Sequence, residues 1–305
     1  MKREYRISEP EDFSLIYDDP HGYFILENDI DFKYGIKSIL KYLPNRSLRY
    51  IDKNTEPIDT SPLFSGVLDG QGHKIKNIPT IKDDNGSCGI FSINKGTIKN
   101  LEIENINVEG DDFTGGLVGT NLGNIENCSV NGVVNGGDKT GGLVGANRAG
   151  GSISNCSFTG EIVGHDTVGG FAGLNTSLIK SCNSYVEIDC RRVAGGLIGN
   201  NDGLIKECIS ESEIDASDFI GGVAGNNKDT IKNSACELFL ENSRAHTGGF
   251  VGLNQDTIED CYWKPNGKKA EEISSSGGEI GDTTEDIKQL NISEKLEKAL
   301  LVSKI

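Results

Sequence analysis

From Cys88 to Asn254 the apolar and polar positions recur with a long period rather than a helical or strand one. The string Gly-Gly, two apolar residues, Gly, any residue, Asn stands at Gly115–Asn121, Gly141–Asn147, Gly169–Asn175, Gly195–Asn201, Gly221–Asn227 and Gly248–Asn254, and a degenerate copy stands at Cys88–Asn94. The closing asparagines fall at 94, 121, 147, 175, 201, 227 and 254, in steps of 27, 26, 28, 26, 26 and 27 residues. So regular a period predicts stacked structural units forming one elongated domain. Turn residues cut the copy at Gly115 into three strands: GLVG, Ile125–Val130 and Gly132–Gly136. Strands this short are not stable alone, and no long helix separates one from the next to make an ordinary crossover. Stacking each on its counterpart gives three parallel sheets around a narrow apolar column. The expected fold is all-β: a right-handed, three-sided parallel β-helix of about seven or eight coils of about 26 residues, with short helical caps at both ends. At ~4.8 Å per coil the shaft is about 35–40 Å long.

The columns support this stack. Ile98, Ile125, Ile153, Ile179, Ile205, Ile231 and Ile258 form an unbroken isoleucine column, as expected in a dry interior. The asparagine column is also unbroken, and an Asn at a corner satisfies turn backbone and its neighbours along the stack. Cys128, Cys156, Cys182, Cys208 and Cys261 share a column with Leu101 and Ser234. Interchange with leucine marks these as small, buried, reduced thiols, since side chains pointing the same way bridge poorly. Ile125 and Cys128 are three apart, so strict alternation cannot point both inward, and a corner or bulge must lie between them.

Residues 1–62 read as an N-terminal cap, in which Glu9–Asp12 opens a short helical segment and Tyr23–Phe32 is a strand. Within it, residues 33–53 carry Lys33, Lys37, Lys41, Arg46, Arg49 and Lys53 against Asp52 alone. Ile36, Ile39, Leu40 and Leu43 predict an amphipathic helix there, whose basic face is either solvated or docks an acidic partner or neighbouring subunit. Residues 63–264 form the β-helix, opening at LFSGVLDGQGHKI. Cys261-Tyr262-Trp263 is expected to end the register, and residues 265–305 to form a loop and a helical C-terminal cap; the caps at the two ends are where copies could associate.

The formal net charge of −16 argues against general nucleic-acid binding, which needs lysine and arginine on the contact face. No stretch approaches the ~20 apolar residues of a membrane helix, so no membrane insertion is expected. MKREYRISEPEDF has charges but no apolar run behind them, so it is not a secretory signal as it stands; a cytoplasmic location is the simplest reading, beside a signal lost from the chain or an export route that reads none.

Three positions before each Gly-Gly pair stand Asp112, Asp138, Asp166, Arg192, Asp218 and Ala245, which would stack along one edge, with Asp189, Arg191, Arg244 and His246 beside them. Carboxylates ~5 Å apart repel, and Arg192 or a bound calcium would relieve this. The alternative is that aspartate favours turns and stays solvated there. As a speculative ligand site these are Asp112, Asp138, Asp166, Asp189, Arg192 and Asp218; no metal site or cofactor is assigned. A polysaccharide-active enzyme would need paired carboxylates or calcium with a basic residue. Asp166, Asp189, Arg192 and Asp218 are the best that can be assembled for it, without groove-lining aromatics. His73, His165 and His246 fall in different coils, so no triad is expected.

At Gly115–Gly136 the sequence resembles the GLUG-repeat proteins, whose pattern is roughly GGLVGxNxGxIxNCxxxGxVxG. Gly115, Gly116, Leu117, Val118, Gly119, Asn121, Gly123, Ile125, Asn127, Cys128, Gly132 and Val134 carry the match. The resemblance extends over about residues 5–285, including YFILENDIDF, FSGVLDGQGHKI and the CYW exit. It implies a presentation or adhesion segment of cell-surface proteins, of the kind also found beside IgA-specific metalloendopeptidase domains. The zinc motif HExxH is absent, so that peptidase activity is not implied. The expected role is a non-catalytic binding or scaffold module facing a protein or glycan. The alternatives are an acidic cytoplasmic rod that mimics DNA or inhibits a protein, and the polysaccharide-active enzyme. A mimic would carry its carboxylates as a continuous stripe.

Overall fold

The computed structural model describes residues 2–33, 63–83, 86–239 and 246–266. Every strand pairing among them is parallel, and each coil stacks on the next as a parallel β-helix of three sheets. The first sheet holds eight short strands, from Leu63–Phe64 and Phe91–Asn94 through Ala172–Asn175 to Val251–Asn254. Its register aligns the repeat asparagines one above another. The third sheet is formed by the residues leading into each Gly-Gly pair, from Thr140–Gly141 to His246–Gly248. The second takes everything between, as one long strand (Asn124–Asn135) or as two consecutive ones (Leu178–Lys180 and Asn183–Cys190).

This corrects the expected division of the coil. Gly132–Gly136 does not open a separate strand, because the ladder runs on through Asn135. The bend falls earlier, one residue before the cysteine column. Asn100, Asn127, Asn155, Ser181, Glu207, Asn233 and Asp260 all adopt φ between 48° and 59°, the left-handed region. One such residue reverses the alternation, so Ile125 and Cys128 both face the interior although they are three apart. Asparagine tolerates this conformation best among residues with a side chain, which is why it holds four of the seven corners.

The interior follows from the register. Ile98 through Ile231 pair coil to coil and are wholly buried, and Ile258 closes the column half-buried. Each buried isoleucine contributes roughly 1.5–3 kcal/mol over leaving it in water. The column continues upward as Leu68 and Phe24. The asparagine column is a buried amide ladder: each Nδ2 donates to the Oδ1 of the next coil at 2.8–2.9 Å, from Asn94 to Asn254. All eight cysteines are free thiols. Those of the column donate to the carbonyl two residues back, as Cys182 does to Lys180 at 3.2 Å. The turn at Arg148–Gly151 takes up two extra residues, and Cys156 keeps its column place, its Sγ accepting from the Cys128 amide at 3.4 Å.

The glycine pairs have a steric cause. A Cβ on Gly142 would lie 2.1 Å from the Phe158 ring and 2.4 Å from the Gly170 carbonyl oxygen, so the backbone there packs directly on the core and the next coil.

At the N-terminal end Glu4–Ile7 pairs with Tyr23–Leu26, which pairs in turn with Val67–Asp69. Residues 4–31 therefore extend the stack itself. The helical segment is present as a 3-10 turn, Pro10–Phe13, and a short α-helix, Ser14–Asp18, linking those strands. At the other end the register does not stop at Trp263: Tyr262–Asn266 pairs with Ala235–Phe239, with Pro265 opposite Leu238. Lys37, Lys41, Arg46, Arg49 and the expected C-terminal helical cap lie outside the described residues; Lys33 is exposed, and its amide donates to Asp31 Oδ1 at 2.9 Å.

Candidate functional site

The turns between the second and third sheets stack because their backbones hydrogen-bond from coil to coil. Phe113 N donates to Asp138 O, Arg191 N to His165 O, Val193 N to Asp166 O and Asp218 N to Arg192 O, all at 2.9–3.0 Å. That ladder brings most of the predicted edge together. Asp166 receives Arg191 Nη2 at 2.9 Å and Arg192 Nη1 at 3.6 Å, and Arg192 Nε reaches on to Asp218 at 3.1 Å. Arg191 holds the Asp166 carboxyl below the usual range, and Arg192 does the same for Asp218. Asp138, next along, is raised by partial burial and then by the Asp166 charge, with a smaller contribution from Asp112. Asp112 is exposed at the end of the row. Asp189 is not part of it: it is exposed on the strand Asn183–Cys190, in register with Val163 and Asp215.

Chemically the part of this edge from Asp166 to Asp218 is a self-neutralised charge row. Two of its carboxylates are held ionised by arginines in water, which leaves neither as a proton donor near neutral pH. Among the described residues no group of three or more His, Cys, Asp or Glu is arranged to hold a metal ion.

A second surface was not singled out from the sequence. Residues midway along Ser157–Gly164, Asn183–Cys190 and Ile209–Asp215, with Phe239 at the end of Ala235–Phe239, line a shallow cleft of about 410 Å³. Glu161, Glu187 and Glu213 stand in one column of it, exposed and in register. Thr159, Tyr185 and Glu211 form the adjacent column. The Tyr185 hydroxyl oxygen is buried and without a hydrogen-bond partner, and burial, followed by the Glu211 charge, pushes its pKa up. The signal lay in SYVEID and SESEID, where acidic residues recur every second position. Attention to the 26-residue period hides that two-residue one.

A second cleft, of about 580 Å³, follows the left-handed corner and is lined by amides and hydroxyls, including Asn100, Asn127, Asn155, Ser129 and Ser157. There Asn127 Nδ2 donates to Asn100 Oδ1 at 3.1 Å and Asn155 Nδ2 to Asn127 Oδ1 at 3.2 Å, an exposed counterpart of the buried ladder.

Residues 137–163 match the GLUG motif. Halomucin of Haloquadratum walsbyi is 37% identical over 84 residues, which is 26% of this chain and 1% of halomucin, so the chain spans a very small part of that relative's length. Among solved structures, a Bacteroides ovatus protein named as a candidate immunoglobulin A1 protease aligns over 90% of this chain and 81% of its own, with 22% identity and a TM-score of 0.54. An IgA1 protease aligns over 88% of this chain and 21% of its own at 16% identity and a TM-score of 0.45. The likeness to the Bacteroides ovatus protein is one of fold alone.

Proposed function

From a chain that carries GLUG-motif repeats, we propose a non-catalytic, adhesin-like binding module that presents an extended β-helix face to a protein or glycan. The observation that carries this reading is the unbroken register of the second sheet, which sets outward side chains of successive coils in straight columns along the rod. Repeat rods present such long faces because each coil adds the same strip of surface. The paired arginines on Asp166 and Asp218 support a surface role for the turn edge over a catalytic one.

Cell fractionation with surface protease accessibility, followed by binding of the purified chain to glycan and protein arrays, tests the reading. Surface exposure with saturable binding and an unaltered ligand is the expected result. Polysaccharide cleavage, or strict cytoplasmic retention, refutes it. The aligned carboxylates of Glu161, Glu187 and Glu213 favour one second reading, an acidic rod that occupies a basic site on a cytoplasmic protein. Retention in the cytoplasm supports that reading.

A further inference from the structure

The outer face of the second sheet changes character along the rod. Near the N-terminal end, acid and base face each other across neighbouring strands. Lys74 Nζ lies 2.9 Å from Glu102 and 2.8 Å from Glu104, Lys76 lies 3.4 Å from Glu104, and Lys82 lies 3.4 Å from Glu109. Further along, Glu161, Glu187 and Glu213 occupy one outward column, with Asp189 and Asp215 in the next. Among the described residues none of these five is ion-paired to a lysine or arginine. The nearby column Lys180, Lys206 and Lys232 lies around the left-handed corner, where Glu207 and Glu259 engage it. The fold thus has its own way of neutralising stacked carboxylates, and this face does not use it.

Two further features point to a ligand rather than to a merely solvated face. The cleft between the glutamate column and the neighbouring column of Thr159, Tyr185 and Glu211 is lined by two aromatics, Tyr185 and, in register beyond Glu213, Phe239; the Tyr185 hydroxyl oxygen is buried there without a partner. Aromatic faces beside carboxylates suit ammonium and guanidinium groups, by cation–π attraction together with charge-assisted hydrogen bonds. The spacing is equally informative. Along Ile209–Asp215 the outward residues include Glu211, Glu213 and Asp215, and along Asn183–Cys190 they include Glu187 and Asp189. Alternate residues of a strand are about 6.7 Å apart, and the same repeat separates alternate side chains of any extended polypeptide.

We propose that this face docks an extended polypeptide segment carrying lysine or arginine at every second position, laid along the strands so that its cations meet Glu187, Glu213, Asp189 and Asp215. The proposal rests on the binding-module reading and names its partner chemistry. Strand period matches strand period, so the whole row of cations engages at once, and the Tyr185 hydroxyl gains a donor.

The full chain is titrated into a fluorescein-labelled ten-residue peptide of alternating lysine and threonine, and into one of the same composition with contiguous lysines. The alternating peptide is expected to bind at least fivefold tighter, more weakly as salt rises. The combined change Glu187→Gln, Glu213→Gln and Asp215→Asn is expected to weaken it at least tenfold. Asp18→Asn, Asp202→Asn and Asp256→Asn together, removing equal charge elsewhere, are expected to shift it less than twofold. Thermal unfolding verifies each variant's fold; the first set should melt no lower than the parent, since it removes repulsion. Equal affinity for the two peptides, equal affinity of parent and first variant, or no binding at all overturns the proposal. A peptide of residues 33–53, whose basic residues recur every three to five positions, is expected to displace the alternating peptide only weakly, and displacement as strong as by the unlabelled alternating peptide overturns the proposal. A native partner captured equally by parent and first variant removes this face but leaves the binding-module reading standing. Failure to find any native partner, with the peptide results intact, does the reverse.

Discussion

Replacing Asn175 by alanine cuts the amide ladder at its centre. The Asn175 Nδ2 donates to Asn201 Oδ1 at 2.8 Å and to Ser177 O at 3.1 Å, and its Oδ1 accepts from Asn147 Nδ2 at 2.9 Å and from Ser177 N at 3.2 Å. The side chain is wholly buried, so water does not replace these bonds. Asn147 Nδ2 keeps the Leu178 carbonyl at 3.2 Å and Asn201 Oδ1 keeps the Gly203 amide at 3.4 Å, so neither neighbouring amide is orphaned outright. Four bonds at about 1 kcal/mol net each put the loss at about 4 kcal/mol. The same change at Asn254 provides the control. That side chain is half-buried and makes two of these contacts, with Asn227 and with Asp256 O, and water can reach them; the expected cost is about 1 kcal/mol. Stacked repeats unfold with incomplete cooperativity, so urea unfolding is paired with native-state amide exchange of Ala172–Asn175 and Ile198–Asn201. Exchange protection should fall most in those two strands. If Asn175→Ala costs no more than Asn254→Ala, or leaves protection at these strands unchanged, the ladder is not what holds the corner.

Three other outcomes follow from the same geometry. Gly142→Ala drives a methyl into Phe158 and the Gly170 carbonyl and should destabilise the chain by about 3 kcal/mol or more in chemical unfolding, whereas an exposed Gly→Ala change at a compatible φ stabilises slightly. Ser181 holds the left-handed corner at φ 54°, where four sister positions carry asparagine; Ser181→Asn should stabilise by about 0.5–1 kcal/mol and raise Tm by a few degrees in calorimetry. The native cysteines should resist alkylation at pH 8, because seven are buried and burial pushes Cys190 and Cys261 up to about 11; Cys261, the least buried, should react first, and urea should expose all eight, as read by mass spectrometry.

What the sequence by itself determined is whatever recurs at fixed spacing. Like residues stacked on like residues leave a column, and the columns of Ile125, Asn121 and Cys128 announced the parallel stack, its interior and the coil length before any coordinates. The three-residue spacing of Ile125 and Cys128 required a corner between them, and only the tertiary structure decided which residue makes it. One left-handed residue, Asn127 or its counterpart, does so in each coil; asparagine holds four of the seven positions, but Ser181, Glu207 and Asp260 break the column, so it does not stand out as the isoleucine column does. The tertiary structure also decided which charges meet. Asp166, Arg191, Arg192 and Asp218 come together because turns 26 residues apart share a ladder, whereas Asp189, two residues from Arg191 in sequence, lies on the strand and joins a different column with Asp215. The glutamate face depends on that same geometry: alternation along a strand sets which residues look outward, and stacking sets which of them become neighbours. Distance along the chain encodes neither, since a strand sends adjacent residues to opposite faces and the coil brings residues 26 apart to within one strand spacing, ~4.8 Å.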